Sequence, residues 1–199
     1  MRLVVGLGNS GTQYADTRHN AGRRLIDFIA AKHALEFSKK KSLKASVSSF
    51  VWEGQDVTLA RPETFMNLSG EAVSCLVRHF EIEIPKDLLI LVDDMALPFG
   101  RIRLRSKGTD GGHNGLKSVE QTLQTQAYAR LRLGIGGRDA EKSAPLEDGY
   151  QDYVLSPFAA AERRGLEAFL KKGETACRLW ITQPVEAAMN IVNAGEITS

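Results

Sequence analysis

His19 is the side chain best placed to do chemistry in this chain of 199 residues. It stands between Arg18 and Asn20, in a polar segment that follows the stretch Gly6-Leu7-Gly8-Asn9-Ser10-Gly11. An imidazole titrates near neutral pH, so it can take a proton from water and later return it. Such a base needs a carboxylate to hold its tautomer and to stabilise the imidazolium. Asp93, in the pair Asp93-Asp94 that ends an apolar run, is the candidate. Asn9, Asn67 and Asn114 lie in loops beside or near glycines. Singly, each reads as a turn residue. Together their carboxamides can hold a carbonyl, a water or an oxyanion without adding charge. The suggested chemistry is base-assisted attack of water on a carbonyl centre.

Other chemistries fit less well. No G-x-S-x-G nucleophile elbow is present, and Ser69, before Gly70, reads as a helix cap. The four histidines show no H-E-x-x-H spacing and the cysteines, Cys75 and Cys177, do not cluster, so no metal site is expected. His113 lies in the loop from Ser106 to Gly115 with four glycines, where the turn matters as much as the ring. Gly6-x-Gly8-x-x-Gly11 matches a dinucleotide-binding fingerprint letter for letter. A true one opens directly into a helix and has an acid at the end of a second strand about 20 residues on. Here 12–20 is polar and Asp27 falls inside a helical pattern.

The elements that must position these residues follow from periodicity. Leu3 to Val5 reads as a short buried strand that delivers the glycine loop to a sheet end, where open α/β sheets place their sites. Residues 21–33 carry Leu25, Ile26, Phe28 and Ile29 on one helical face, with Asn20 or Thr17 as cap. Lys39, Lys40, Lys41 and Lys44 read as a solvated, mobile loop, or else as a contact to a polyanion. Ser46 to Trp52 and Val57 to Ala60 form a hairpin across Glu53-Gly54-Gln55-Asp56; Pro62 stops the second strand, and Ser69 or Asn67 caps the next helix. The unbroken run Leu88 to Val92 fits a central strand covered on both faces. Arg101 to Arg105 and Arg130 to Ile135 alternate basic and apolar residues, as half-buried strands do. A polar loop is expected over 136–149, and helices from about Ala159 to Asn193, divided at Pro184. The order β-α-β-β-α-β-β-α-β-α-α predicts a single α/β domain over 1–199, a three-layer sandwich with a twisted, mixed, mostly parallel sheet and helices on both faces.

A net charge of +2 argues against a non-specific nucleic-acid coat and makes any basic site local. Two cysteines without a signal-like leader suggest reduced thiols in a cytosol, with Cys75 in the core, and no run is long enough to span a membrane. A cytoplasmic protein is expected.

The blocks themselves resemble a known family. Gly6-Leu7-Gly8-Asn9-Ser10-Gly11-x-x-Tyr14-x-x-Thr17-Arg18-His19-Asn20-x-Gly22 is similar to the opening signature of bacterial peptidyl-tRNA hydrolases. Pro62-x-Thr64-Phe65-Met66-Asn67-Leu68-Ser69-Gly70, then Asp93-Asp94 with Leu97-Pro98-x-Gly100, then Gly111-Gly112-His113-Asn114-Gly115-Leu116-Lys117, then Arg130 to Gly136, follow in the family's order. The resemblance implies an esterase that frees tRNA from prematurely released peptidyl-tRNA, with no cofactor and as a monomer. It implies that His19 is the base, that Asp93 orients it, and that Asn9, Tyr14, Met66, Asn67 and Asn114 sit in the cleft. Arg105 and Arg132 match positions that hold the tRNA 5′-phosphate, a contact that positions without reading sequence. Three residues depart from the pattern. Ser10 replaces a usual proline, which should loosen the loop; Ala96 replaces a common acid; Asp110 adds a negative charge to the glycine loop. An RNA-binding protein without turnover and a dinucleotide enzyme are the rival readings.

Overall fold

The computed structural model describes residues 1–136 and 150–195. Its elements run β1 (Arg2–Gly6), α1 (Ala21–Lys32), β2 (Ser38–Lys40), β3 (Ala45–Trp52), β4 (Gln55–Pro62), α2 (Ser69–His79), α3 (Ile84–Asp87), β5 (Leu88–Asp94), β6 (Ile102–Arg105), α4 (Asn114–Leu123), β7 (Ala129–Gly134), α5 (Tyr150–Leu155), α6 (Ala160–Thr182) and α7 (Val185–Ala194). Short 3-10 turns at Thr12–Tyr14, Arg18–Asn20, Lys41–Leu43 and Met66–Leu68 link several of them.

The sheet has seven strands in the order β2-β3-β4-β1-β5-β7-β6. Its four central strands are mutually parallel, while β3 and β6 run against their neighbours. The β3–β4 hairpin turns on Glu53 and Gly54, both at positive φ (51° and 75°), which suits the twist of a two-residue connection.

Period-2 alternation sorts the central strands between two cores. Val4, Leu89 and Leu91 pack with α1, α6 and α7; Leu3, Val5, Leu88, Ile90 and Val92 pack with α2 and α4. β5 is buried along its whole length, as its apolar run predicts. At its end the alternation continues in charged residues, so Asp93 and Asp94 point to opposite faces.

The two edges of the sheet are finished differently. β2 is three exposed residues, two of them lysine. On β6 the Asn193 amide of α7 takes the place of a neighbouring strand: Leu104 N–H donates to its Oδ1 at 2.9 Å, and its Nδ2 donates to the Leu104 carbonyl at 3.1 Å.

Several local expectations need correction. Lys39 and Lys40 lie in β2 rather than in a loop, because their backbone pairs with Ser46 and Ala45 of β3. No side chain caps α1 or α2: Asn20 turns its amide to the Asn9 backbone, and the Ser69 hydroxyl donates to the Met66 carbonyl. α5 lies upstream of the expected C-terminal helices, and Cys75 is only partly buried. The loop expected over 136–149 lies, apart from Gly136, outside the described residues. Among the described residues no helix is long and apolar enough to cross a membrane.

Gly22 lets α1 lie directly on the sheet. A Cβ there would stand 2.3 Å from the Leu91 carbonyl oxygen and 3.0 Å from the Leu7 nitrogen, both backbone atoms that cannot step aside. Gly22→Ala should therefore destabilise the fold by about 3 kcal/mol, the upper part of the usual range for overpacking. Equilibrium urea unfolding measures this, and a loss below about 0.5 kcal/mol would show that the contact relaxes freely.

Candidate active site

The carboxyl ends of β1, β4 and β5 bring three sequence-distant segments together. Asp93, at the end of β5, accepts hydrogen bonds from two imidazoles. His19 Nδ1 lies 3.0 Å from both carboxylate oxygens, and His113 Nε2 lies 2.9 Å from Oδ1. An ionised carboxylate only accepts, so both ring nitrogens facing it carry hydrogen. His113 caps α4 with its other nitrogen, Nδ1, which accepts from the Gly115 and Leu116 amides at 3.1 and 3.2 Å. Its proton is thereby fixed on Nε2. Among the described residues His19 Nε2 has no such second tie, and the ring lines a cleft.

All three groups are buried: 8% exposed for His19, 4% for Asp93 and 6% for His113. Burial alone would depress the His19 pKa, but the charge of Asp93 and its hydrogen bond outweigh that and leave it raised. Burial alone would raise Asp93; the two imidazoles reverse this and hold the carboxyl well below the usual carboxylate range. Donor atoms of His19, Asp93 and His113 lie within 4.8 Å of one another, a group that could hold a metal ion. The same spacing is that of the hydrogen-bonded chain just described, in which His113 and Asp93 already satisfy one another.

His19 opens on a cleft of about 650 Å³. Asn9, Tyr14, Met66, Asn67 and Asn114 line it, so five residues expected on one surface do meet there. Asn9 is oriented unambiguously: its Oδ1 accepts the Met66 amide at 2.8 Å, leaving its Nδ2 donors for the cleft. Asn67 and Asn114 are exposed at the mouth.

The far wall comes from α5, through Gln151, Val154 and Leu155. Arg18 pins this wall to the His19 turn. Its buried guanidinium binds Ser156 Oγ at 2.8 Å, the Pro157 carbonyl and Glu162 Oε2 at 2.6 Å, and it stacks over Tyr153 and Phe158. The sequence offered no sign of α5, because helical periodicity first becomes clear after Ala159. The role of the His113 ring was also missed; a histidine at the start of a helix, two residues before a glycine, was the available signal.

The arginines divide. Arg103 faces Arg132 and Arg105 faces Arg130 across β6 and β7, so all four share one sheet face. Arg130 is buried and bound to Glu120 and two carbonyls. Arg132 is partly exposed and pairs through Nε with Asp94 at 2.9 Å. Arg105 is exposed. Asp110 shapes the glycine loop, accepting the Gly112 amide at 2.7 Å and, through its carbonyl, the His113 amide at 3.1 Å. Ala96 is exposed, and its amide donates to Asp94. Residues 12–20 form two 3-10 turns before α1 begins. The glycine loop therefore does not open directly into a helix, and the Arg23 amide in the first turn of α1 is already taken by the Leu7 carbonyl at 3.0 Å.

The family model for peptidyl-tRNA hydrolase matches residues 3–199. The chain belongs to this family. A peptidyl-tRNA hydrolase of Cytophaga hutchinsonii is 41% identical over 192 residues, covering 96% of this chain and 97% of the relative. One from Desulfitobacterium hafniense is 43% identical over 193 residues, covering 97% and 100%. The crystal structure of peptidyl-tRNA hydrolase from Acinetobacter baumannii superposes with a TM-score of 0.87 at 31% identity, covering 98% of this chain and 95% of that one. The fold described above is therefore that of peptidyl-tRNA hydrolases.

The two shifted groups set opposite pH limbs for stability. His19 is raised, so its contribution is full below the unfolded imidazole value of about 6.5 and is lost as pH rises through the folded one. Asp93 is lowered, so its contribution is full above the unfolded value of about 3.9 and is lost as pH falls toward the folded one. Urea midpoints from pH 3 to pH 9 should fall on both sides of a plateau. His19→Ala should flatten the alkaline limb. Asp93→Asn should flatten the acid limb and, by freeing His19, part of the alkaline one. Limbs unchanged in both variants would refute the coupling.

Proposed function

We propose that this protein hydrolyses the ester joining the peptide to the 3′-terminal ribose of peptidyl-tRNA, and that His19 is the general base. The hydrogen bond from His19 to a buried, ionised Asp93, at the edge of a cleft lined by amides, carries this reading. His19 Nε2 takes a proton from water as the water oxygen attacks the ester carbonyl. Asp93 stabilises the imidazolium that forms. The carbonyl oxygen becomes an oxyanion, to which the Asn9 Nδ2 donors are aimed. The intermediate collapses, the ester C–O bond breaks, and the imidazolium returns its proton to the departing ribose oxygen. The products are a peptide carboxylic acid and a free tRNA end.

In this reading Tyr14 and Met66 form walls, while Asn67 and Asn114 hold the peptide and the tRNA end at the mouth. Arg105 and Arg132 contact phosphate. Asp94 pairs with Arg132 on its Nε side at 2.9 Å, and the partly exposed guanidinium would still be open to the ligand. We further propose that the chain works as one domain, in keeping with the single sheet that all its described strands share, and as a monomer in the cytoplasm.

Hydrolysis of an N-acetylaminoacyl-tRNA, beside the same tRNA with a free α-amino group, tests the reaction. Cleavage of the acylated substrate should fall by about 10²–10⁴-fold in His19→Ala, the span of general-base catalysis. In the wild type kcat/KM should climb with pH through a value above about 6.5, because His19 must be neutral to act and its pKa is raised. Binding without turnover would mark an RNA-binding protein instead.

Arg132 is tested separately by salt titration of tRNA binding. Arg132→Ala should weaken binding and reduce the slope of log K against log salt by about one phosphate's worth. An unchanged slope would remove Arg132 from the contact surface.

A further inference from the structure

The loop that carries Asn9 is held at three places. The Asn9 backbone exchanges two hydrogen bonds with the Asn20 amide, at 2.8 and 3.0 Å. The Asn9 side chain binds the Met66 amide. One residue further on, the Ser10 hydroxyl donates to Glu63 Oε2 at 3.0 Å.

Glu63 is itself firmly held. Its Oε1 accepts from Ser46 Oγ at 2.7 Å and from Arg23 Nη2 at 3.2 Å. Its amide donates to the Lys44 carbonyl at 2.8 Å, and Arg23 Nη1 also ties the preceding carbonyl, of Pro62, at 2.7 Å. Lys39 Nζ stands 3.9 Å from Oε2. The carboxylate is thus fixed by β3 and α1 on one side and reaches the Asn9 loop with its other oxygen. Residues 9 and 10 clamp to residues 66 and 63, so two adjacent bonds join the same pair of segments. Neither Ser10 nor Glu63 lines the cleft.

We propose that Glu63 is a positioning residue that sets the Asn9 amide, acting through Ser10. The inference rests on the proposed ester hydrolysis, with Asn9 as oxyanion donor. The loop has glycine on either side of the Asn9-Ser10 pair, and of its three ties the Ser10 one alone is made to an ionised group. A hydrogen bond to an ionised acceptor is among the stronger ones available to hold it. An oxyanion donor displaced by a fraction of an ångström loses most of its value. The bond also supplies what a serine at position 10 lacks by comparison with a proline.

The test is a kinetic cycle on N-acetylaminoacyl-tRNA with Ser10→Ala, Glu63→Ala and the double variant, each with its thermal midpoint. Ser10→Ala should lower kcat about tenfold with KM within about twofold and the midpoint nearly unchanged, the pattern of an interaction used in the transition state. The double variant should be no slower than Glu63→Ala, because both remove one latch. Ser10→Pro in the Glu63→Ala background, which restricts the loop covalently, should recover most of kcat without recovering the lost midpoint. Ser10→Ala at wild-type kcat, or losses that multiply in the double variant, would overturn the latch. If Glu63→Ala does not fold, Ser10→Ala alone decides by the same criterion. Failure of the wild type to cleave the acylated tRNA would instead sink the proposed function, and the latch with it.

Discussion

Asp93 is an ionised carboxylate in the interior, and an ionised group there must be paired or it neutralises. The structure meets that demand with two imidazoles: one from the turn before α1, the other from the residue that caps α4. The pairing therefore does more than raise the His19 pKa. It fastens the end of the central strand to elements from both layers, at the point where the two cores stop. His113 serves this end with a single fixed proton, since its remaining nitrogen already terminates α4. His19 keeps one nitrogen uncommitted, and that asymmetry separates a group free to exchange protons from one that holds its neighbour still.

Around this centre the cleft is assembled by contacts between segments far apart in sequence. Arg18 reaches residues 156–162, Asn9 reaches Met66, and Glu63 reaches Ser10. Each joins a loop to something more rigid than itself. The cleft is consequently stiff where the Asn9 amide and the His19 imidazole sit. It is open at the mouth, where Asn67 and Asn114 face solvent. Stiffness of this kind preorganises donors for a developing charge, because they need not reorient when it appears.

The sequence made the central strand, the hairpin and the α/β order legible, since each is a matter of local periodicity and turn chemistry. Leu88 to Val92 has no polar interruption, and Gly54 permits the turn that its neighbours require. Residue types also marked His19, Asp93 and the asparagines. What could not be read was whatever depends on register or on distant partners. The lysines at 39 and 40 carry no strand signal of their own; pairing with β3 imposes it. Asn20 and Ser69 look like caps, yet the Asn9 backbone claims one side chain and the carbonyl of Met66, three residues upstream, claims the other. The ring of His113 acquires meaning only when Asp93 arrives beside it, and the wall formed by α5 is invisible without Arg18 to hold it. Arg130 and Arg132 are alike in sequence but differ in use, because Glu120 encloses one and Asp94 only partly occupies the other.

The finish of strand β6 bears on how the chain is made. The outer backbone groups of Leu104 are satisfied by Asn193, so the last strand in the sheet order waits for a residue that is synthesised after all the described strands. During synthesis the strands up to β7 can pair before that residue leaves the ribosome. Throughout that interval β6 presents an unpaired edge, the usual starting point for association between nascent chains. The order of translation thus places arrival of α7 after every described strand, and makes it the event that ends this exposure.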